Sequence, residues 1–166
     1  MICRWRAITP PILLIGVALF AFAAPAAKAQ PGAADLQARC RRVGVDDTLQ
    51  PIPPDLVAAS RRLFGLPDLP ADAAQRAVVA RCMGGVALLC NTGANLPCGK
   101  ANTARELPAA QAWCRERPNS PFVPMVVTGH DTIYRWRCAG SHAEAGEPAE
   151  RVDERGFIAR FWKRLE

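Results

Sequence analysis

The hydrophobic pattern of the chain changes character at Pro25. From Ile12 to Ala24 the residues are apolar or glycine, with no charge and no alternation. Beyond Pro25 the apolar positions become sparse and periodic. Leu56, Val57, Ser60, Leu63 and Phe64 fall at i, i+1, i+4, i+7 and i+8, one face of a helix. Pro54-Asp55 opens that helix, since proline suits a first helical turn and Asp55 complements the dipole, and Gly65 stops it. A second short helix is predicted over roughly Pro108 to Arg117, carrying Trp113 and Cys114, and Pro118 to Pro124 breaks it. Phe157, Ile158, Phe161, Trp162 and Leu165 also stand at helical spacing, with Arg160, Lys163 and Arg164 opposite, which predicts a C-terminal helix.

Two segments read instead as hairpins. Arg76 to Cys82 and Val86 to Asn91 flank Gly84-Gly85, a pair suited to a tight turn. That turn sets residue 82 against 87 and residue 79 against 90, so Cys82 and Cys90 point to opposite faces and cannot bond to each other. Thr132 to Cys138 alternates: Tyr134, Trp136 and Cys138 face one way, Ile133, Arg135 and Arg137 the other. Gly140-Ser141 then turns the chain toward a weaker strand between His142 and Val152. The run Arg81-Cys82-Met83-Gly84-Gly85 is echoed by Arg137-Cys138-Ala139-Gly140-Ser141. Two equivalent hairpins could join in one four-stranded sheet, although so short a match can also arise by chance. Residues 30–39 read as a flexible tail, and Val43 to Pro53, Leu66 to Ala73 and Thr92 to Arg105 as loops or connectors. The fold class expected is α+β: a small antiparallel sheet of about four strands in two hairpins, with two or three short helices, stapled by disulfides.

The amino-terminal pattern changes the setting. Arg4 and Arg6, the apolar run, and Ala27-Lys28-Ala29 form the three parts of a secretory signal peptide, with cleavage expected after Ala29. An uncleaved anchor is the alternative, but the run is shorter than the ~20 residues a span needs, and no later stretch would give a stable membrane span. Removing the first 29 of 166 residues leaves 137, a single domain over residues 40–166 behind the tail. Arg4, Arg6 and Lys28 leave with the signal, so the net charge falls from +6 to +3. The mature basic residues are nearly all arginine, interspersed with acids. That balance suits an acidic protein or an anionic envelope polymer as partner, and lacks the concentrated charge of a nucleic-acid binder.

Of seven cysteines only Cys3 lies in the signal peptide. Cys40, Cys82, Cys90, Cys98, Cys114 and Cys138 then form an even set in an oxidising compartment, which predicts three disulfides in a periplasmic or secreted protein. The short loop between them, turning into a helix, favours Cys98–Cys114, leaving the other four to divide without Cys82–Cys90.

Cys82-Met83-Gly84-Gly85, Gly93-Ala94-Asn95-Leu96-Pro97-Cys98-Gly99-Lys100 and Gly129-His130-Asp131-Thr132-Ile133-Tyr134 resemble signatures of small cysteine-rich secreted proteins of alphaproteobacteria. The resemblance spans roughly Cys40 to Leu165. It implies one exported domain and, since no activity is established for that group, transfers no functional residues.

Candidate chemistry is thin. His130-Asp131 could place a general base beside a carboxylate if the chain turns at Gly129; the plainer reading is a strand-entry turn with Asp131 accepting backbone N–H groups. His130 and His142 are the only histidines, no metal-ligand spacing exists, and oxidised cysteines are not zinc ligands, so neither metal nor other cofactor is expected. Ser60, Ser120 and Ser141 lie in no nucleophile motif. The loop with Asn95 and Lys100 could cradle an anion or a sugar, or be an ordinary turn-rich loop pinned by Cys98. Arg135 and Arg137 share a strand face that Arg81 could extend into a cationic stripe, or they could be a solvated surface. The C-terminal aromatic stripe suits docking on its own domain better than a membrane surface. The function expected is that of an exported, non-enzymatic binding or inhibitor-type protein of the cell envelope; the alternative is a small hydrolase using His130 and Asp131.

Overall fold

A computed structural model describes residues 32–93 and 95–165. The expected signal peptide and cleavage site, Cys3 and the first residues of the expected tail lie outside the described residues.

The architecture is α+β. Helix α1 (Ala33–Val43) leads to strand β1 (Asp46–Pro51), and a 3₁₀ turn at Pro54–Leu56 runs into α2 (Val57–Phe64). Helix α3 (Ala71–Ala77) follows, then β2 (Val78–Met83), β3 (Val86–Asn91), α4 (Pro108–Glu116), α5 (Met125–Thr128), β4 (Tyr134–Ala139), β5 (His142–Pro148) and a short β6 (Lys163–Arg164). The strands form an antiparallel sheet in the order β1-β2-β3-β6 and a separate two-stranded sheet, β4-β5.

The β2–β3 register agrees with the sequence reading: Cys82 faces Ala87 and Val79 faces Cys90. Gly84 and Gly85 both take positive φ, the conformation a two-residue turn requires. The helix opened by Pro54 and stopped by Gly65, in the left-handed conformation, also forms as expected. The two hairpins do not join into one sheet. The first is flanked by β1 and β6 instead, and β4 is met on its outer edge by the chain before α5, where Val123 N donates to Trp136 O and Cys138 N donates to Ser120 O.

Four other expectations are corrected. Residues 33–39 are not a tail but the first turns of α1. Gly32 N donates to Asp35 and Ala33 N to Asp55, closing its free end, while Leu36 and Cys40, four apart, are buried. The polar stretch from Asp46 to Pro51 is a strand, not a loop. It is an edge strand, bulged between Asp46 and Gln50, where exposed polar residues and Pro51 are tolerated. Ala71–Ala77, read partly as connector and partly as strand, is an alanine-rich helix behind Pro70. The C-terminal segment is not a regular helix: a 3₁₀ turn at Ala159–Phe161 feeds β6, in which Lys163 and Arg164 pair with Leu89 and Leu88. Phe157, Ile158, Phe161 and Trp162 are buried in one cluster while Leu165 packs against another, and an extended end satisfies the open edge of β3.

The disulfides are Cys40–Cys82, Cys90–Cys98 and Cys114–Cys138. Cys82–Cys90 does not form, as expected; the favoured Cys98–Cys114 does not form either. Gly93 and Leu96 exchange backbone hydrogen bonds, a reversal that carries Cys98 back beside Cys90. Helix α4 packs on the second hairpin and so offers Cys114 to Cys138.

The motif echo extends well beyond the hairpins. Gln37-Ala38-Arg39-Cys40 on α1 matches Gln111-Ala112-Trp113-Cys114 on α4. In each case the cysteine bonds to the hairpin cysteine, Cys82 or Cys138. In each case the glutamine also grips the outer edge of the hairpin with both ends of its amide. Gln37 Nε2 donates to Gly85 O and Ala87 N donates to Gln37 Oε1; Gln111 Nε2 donates to Ser141 O and Ala143 N donates to Gln111 Oε1. The chain thus contains two helix–hairpin units, α1 with β2–β3 and α4 with β4–β5. Their packing is complementary in volume. Leu36 on α1 shares a buried cluster with the small Ala80, whereas its counterpart Ala110 on α4 shares one with the large Trp136. A third cluster, with Phe157, Ile158, Phe161 and Trp162 at its centre, draws Cys90 and Cys98 from the first half and Ile133 from the start of the second hairpin.

Candidate functional site

The second unit carries the most distinctive surface. The chain before α5 lies along β4, and Pro121, Phe122 and Val123 form one wall of an open groove of about 510 Å³. Met125 and Thr128 of α5 continue that wall, and Thr132, Tyr134 and Trp136 line the groove. The Trp136 ring is 3 % exposed and its indole N–H donates to Thr132 Oγ1 at 3.0 Å, so this lining is a fixed surface. Arg135, Arg137 and Glu150 supply charge. Glu150 is held by Arg160 through two bonds of 2.6 Å, and Arg137 by Glu144 at 2.8 Å. Arg135 is exposed and forms no ion pair among the described residues. Beside it Phe122 is 62 % exposed, and Met125 and Val126 are also exposed. Large apolar side chains grouped at the mouth of a groove mark a surface suited to contact.

The strand alternation therefore located Arg135 correctly on an exposed face. It could not reveal Phe122, which lies in the Pro118–Pro124 stretch read only as a helix break, or Met125 just beyond it. The signal available was Pro121-Phe122-Val123-Pro124, a short apolar run whose flanking prolines hold it extended.

Arg81 does not extend the cationic stripe. It is 1 % exposed, ion-paired with Asp153, and its guanidinium lies 4.1 Å from the Phe157 ring centroid and 4.5 Å from that of Trp162. The C-terminal segment covers the face on which a stripe would have continued. Arg81 is thus a buried tie between β2 and that segment.

In the loop carrying Asn95 and Lys100, the lysine and several backbone groups bond to other parts of the chain at the surface. Lys100 Nζ donates to Asp47 at 2.8 Å and to Arg155 O at 3.0 Å. Ala101 N donates to Gly156 O, Asn102 N to Asp131 O and Ile133 N to Asn102 O. Asn95 is exposed and is not brought near Lys100 by any hydrogen bond among the described residues. These contacts tie the loop to Asp47, to the chain at Arg155 and Gly156, and to Asp131 and Ile133. Asp47 also accepts bonds from Arg155, which with the Lys100 bond holds its carboxyl down at about 2.

His130 and Asp131 make no hydrogen bond to each other among the described residues. Gly129, at φ 86°, turns the chain so that the Asp131 carboxylate folds back over it; a Cβ at Gly129 would meet Asp131 Oδ1 at 2.5 Å. His130 Nδ1 is buried without a hydrogen-bond partner among the described residues. Neither residue lines the groove at Arg135. Among the described residues no cluster of three or more His, Cys, Asp or Glu could hold a metal ion, and no helix is long and apolar enough to cross a membrane. Comparison of the chain with protein families, characterised proteins and solved structures finds no match.

Proposed function

We propose that the chain is an exported, non-enzymatic binding protein of the cell envelope, periplasmic or secreted, that engages an acidic protein through the groove at Arg135. The observation that carries this reading is the exposed Arg135 beside the exposed Phe122 and Met125, over a lining fixed by Trp136. An apolar side chain of the partner would enter between Phe122 and Met125, and a carboxylate would meet Arg135. The three disulfides suit a protein working where thiols oxidise.

The test is capture from an envelope extract by the oxidised protein, identification of the captured partner, and measurement of its affinity as the purified species. Arg135→Glu is expected to weaken binding about tenfold or more and to flatten its salt dependence. Phe122→Ala should weaken binding without changing the salt slope. Full affinity in both variants would sink the proposal. An anionic polymer as the captured species would require the same Arg135 but not Phe122. Turnover of an envelope substrate that disappears in His130→Ala would favour the hydrolytic alternative.

A further inference from the structure

The two helix–hairpin units differ in what lies along the outer edge of the second strand. In an antiparallel ladder the N–H and C=O of one residue point the same way, alternately toward one neighbour and the other. In the first unit Ala87 and Leu89 point away from β2. Ala87 N is gripped by Gln37, Ala87 O accepts from Leu165 N, and Leu89 pairs with Lys163 of β6. The edge is closed by an extended segment of the chain itself.

In the second unit the counterparts are Ala143 and Ala145, which point away from β4. Ala143 N is gripped by Gln111 in the same way, and Ala145 O accepts from Arg105 Nη2 at 3.2 Å. No strand of the described residues lies there. Ala143 O and Ala145 N are left without a hydrogen-bond partner among the described residues. Beside this edge runs a groove of about 470 Å³, between the chain from Arg105 to Pro108, Gln111 and Arg115 of α4, and His142 with Ala143. It shares no lining residue with the groove at Arg135. Two arginines line it against a single carboxylate, that of Glu106.

We propose that this edge of β5 accepts an extended, acidic segment of a partner polypeptide as an added antiparallel strand, in the place that β6 occupies in the first unit. The N–H of one peptide residue donates to Ala143 O. The residue two before it accepts from Ala145 N and donates to Ala145 O, displacing the Arg105 guanidinium. Arg105, which stands 4.8 Å from the Tyr134 ring centroid, is then free with Arg115 to meet peptide carboxylates. The occupant is a polypeptide because only a backbone offers donors and acceptors at ladder spacing. It is acidic because the groove is cationic.

The probe is a synthetic peptide of alternating valine and glutamate with blocked ends, added to the oxidised protein. Amide exchange at Ala145 is expected to slow on binding, while exchange at Ala87 and Leu89, already closed, stays unchanged. The same peptide N-methylated at alternate residues cannot donate to Ala143 O and Ala145 O, and should bind about tenfold or more weakly; methylation of the other set should be tolerated. Arg105→Glu should lose binding of the glutamate peptide and recover it with a valine–lysine peptide. Absence of binding at millimolar peptide, equal affinity of both methylated sets, or binding that leaves Ala145 exchange unaltered would each overturn the proposal.

Discussion

Arg81 and Arg137 hold the same place in the two units, one residue before the hairpin cysteine, and have opposite fates. Each faces its cross-strand neighbour, Leu88 or Glu144. Opposite Arg81 the neighbour is apolar, and the side chain is sealed in by Phe157, Trp162 and Asp153. Opposite Arg137 the neighbour is acidic and the pair stays in solvent. Arg81→Leu would strand the largely buried Asp153 and remove two cation–π contacts, so it should cost about 3–5 kcal/mol in urea unfolding. Arg137→Ala should cost less than about 1 kcal/mol in the same measurement. Alternation could say that Arg81 and Arg137 each share a face with their strand mates. It could not say which face the C-terminal segment covers. Asp47 offers a second test. Its folded value of about 2 lies below the ordinary 3.8, so its stabilisation is complete above 3.8 and is lost as pH falls toward 2. The urea midpoint of the native protein should therefore drop across that window, and Asp47→Asn should show a smaller drop along with a lower midpoint at neutral pH.

The elements most legible in the sequence were those whose pattern is set locally. Gly84-Gly85 fixes a turn, and the turn fixes every pair in β2–β3. The strands β1 and β6 were hidden because pairing with a distant edge leaves little local trace: one is polar, the other follows apolar residues that mimic helical spacing. The helix half of the repeated unit was hidden for another reason. The helix-to-hairpin cysteine separation is 42 in the first unit and 24 in the second, so the two motifs share no common offset. The glutamine grip gives the repeat an energetic meaning. Gln37→Leu or Gln111→Leu removes one donor and one acceptor from a strand edge, which should cost about 1–3 kcal/mol and speed amide exchange at Ala87 or Ala143 respectively. Because the two glutamines sit on helices that pack into separate clusters, the double variant should show the sum of the two costs. A shortfall well beyond experimental error would mean that the units are coupled through the third cluster.

Across the whole molecule each bond between sulfurs stays within one half. Cys40–Cys82 and Cys90–Cys98 tie the chain before Gly99, Cys114–Cys138 ties the chain after Arg105, and none of the three spans the loop between. Apart from the backbone between them, what holds the halves together is therefore noncovalent: β6 on β3, and Phe157 and Trp162 closing over Arg81. Arg105 and Glu106 are exposed, so a single backbone cut between them falls where chains tolerate nicking. The nicked, oxidised protein should migrate as one species under native conditions and as two on a denaturing gel run without reductant. A Cys98–Cys114 bridge would have kept the pieces joined on both. The topology thus sets up a test of fragment complementation: the two halves, expressed apart and each oxidised on its own, are expected to reconstitute the fold on mixing, read as recovery of the single native species.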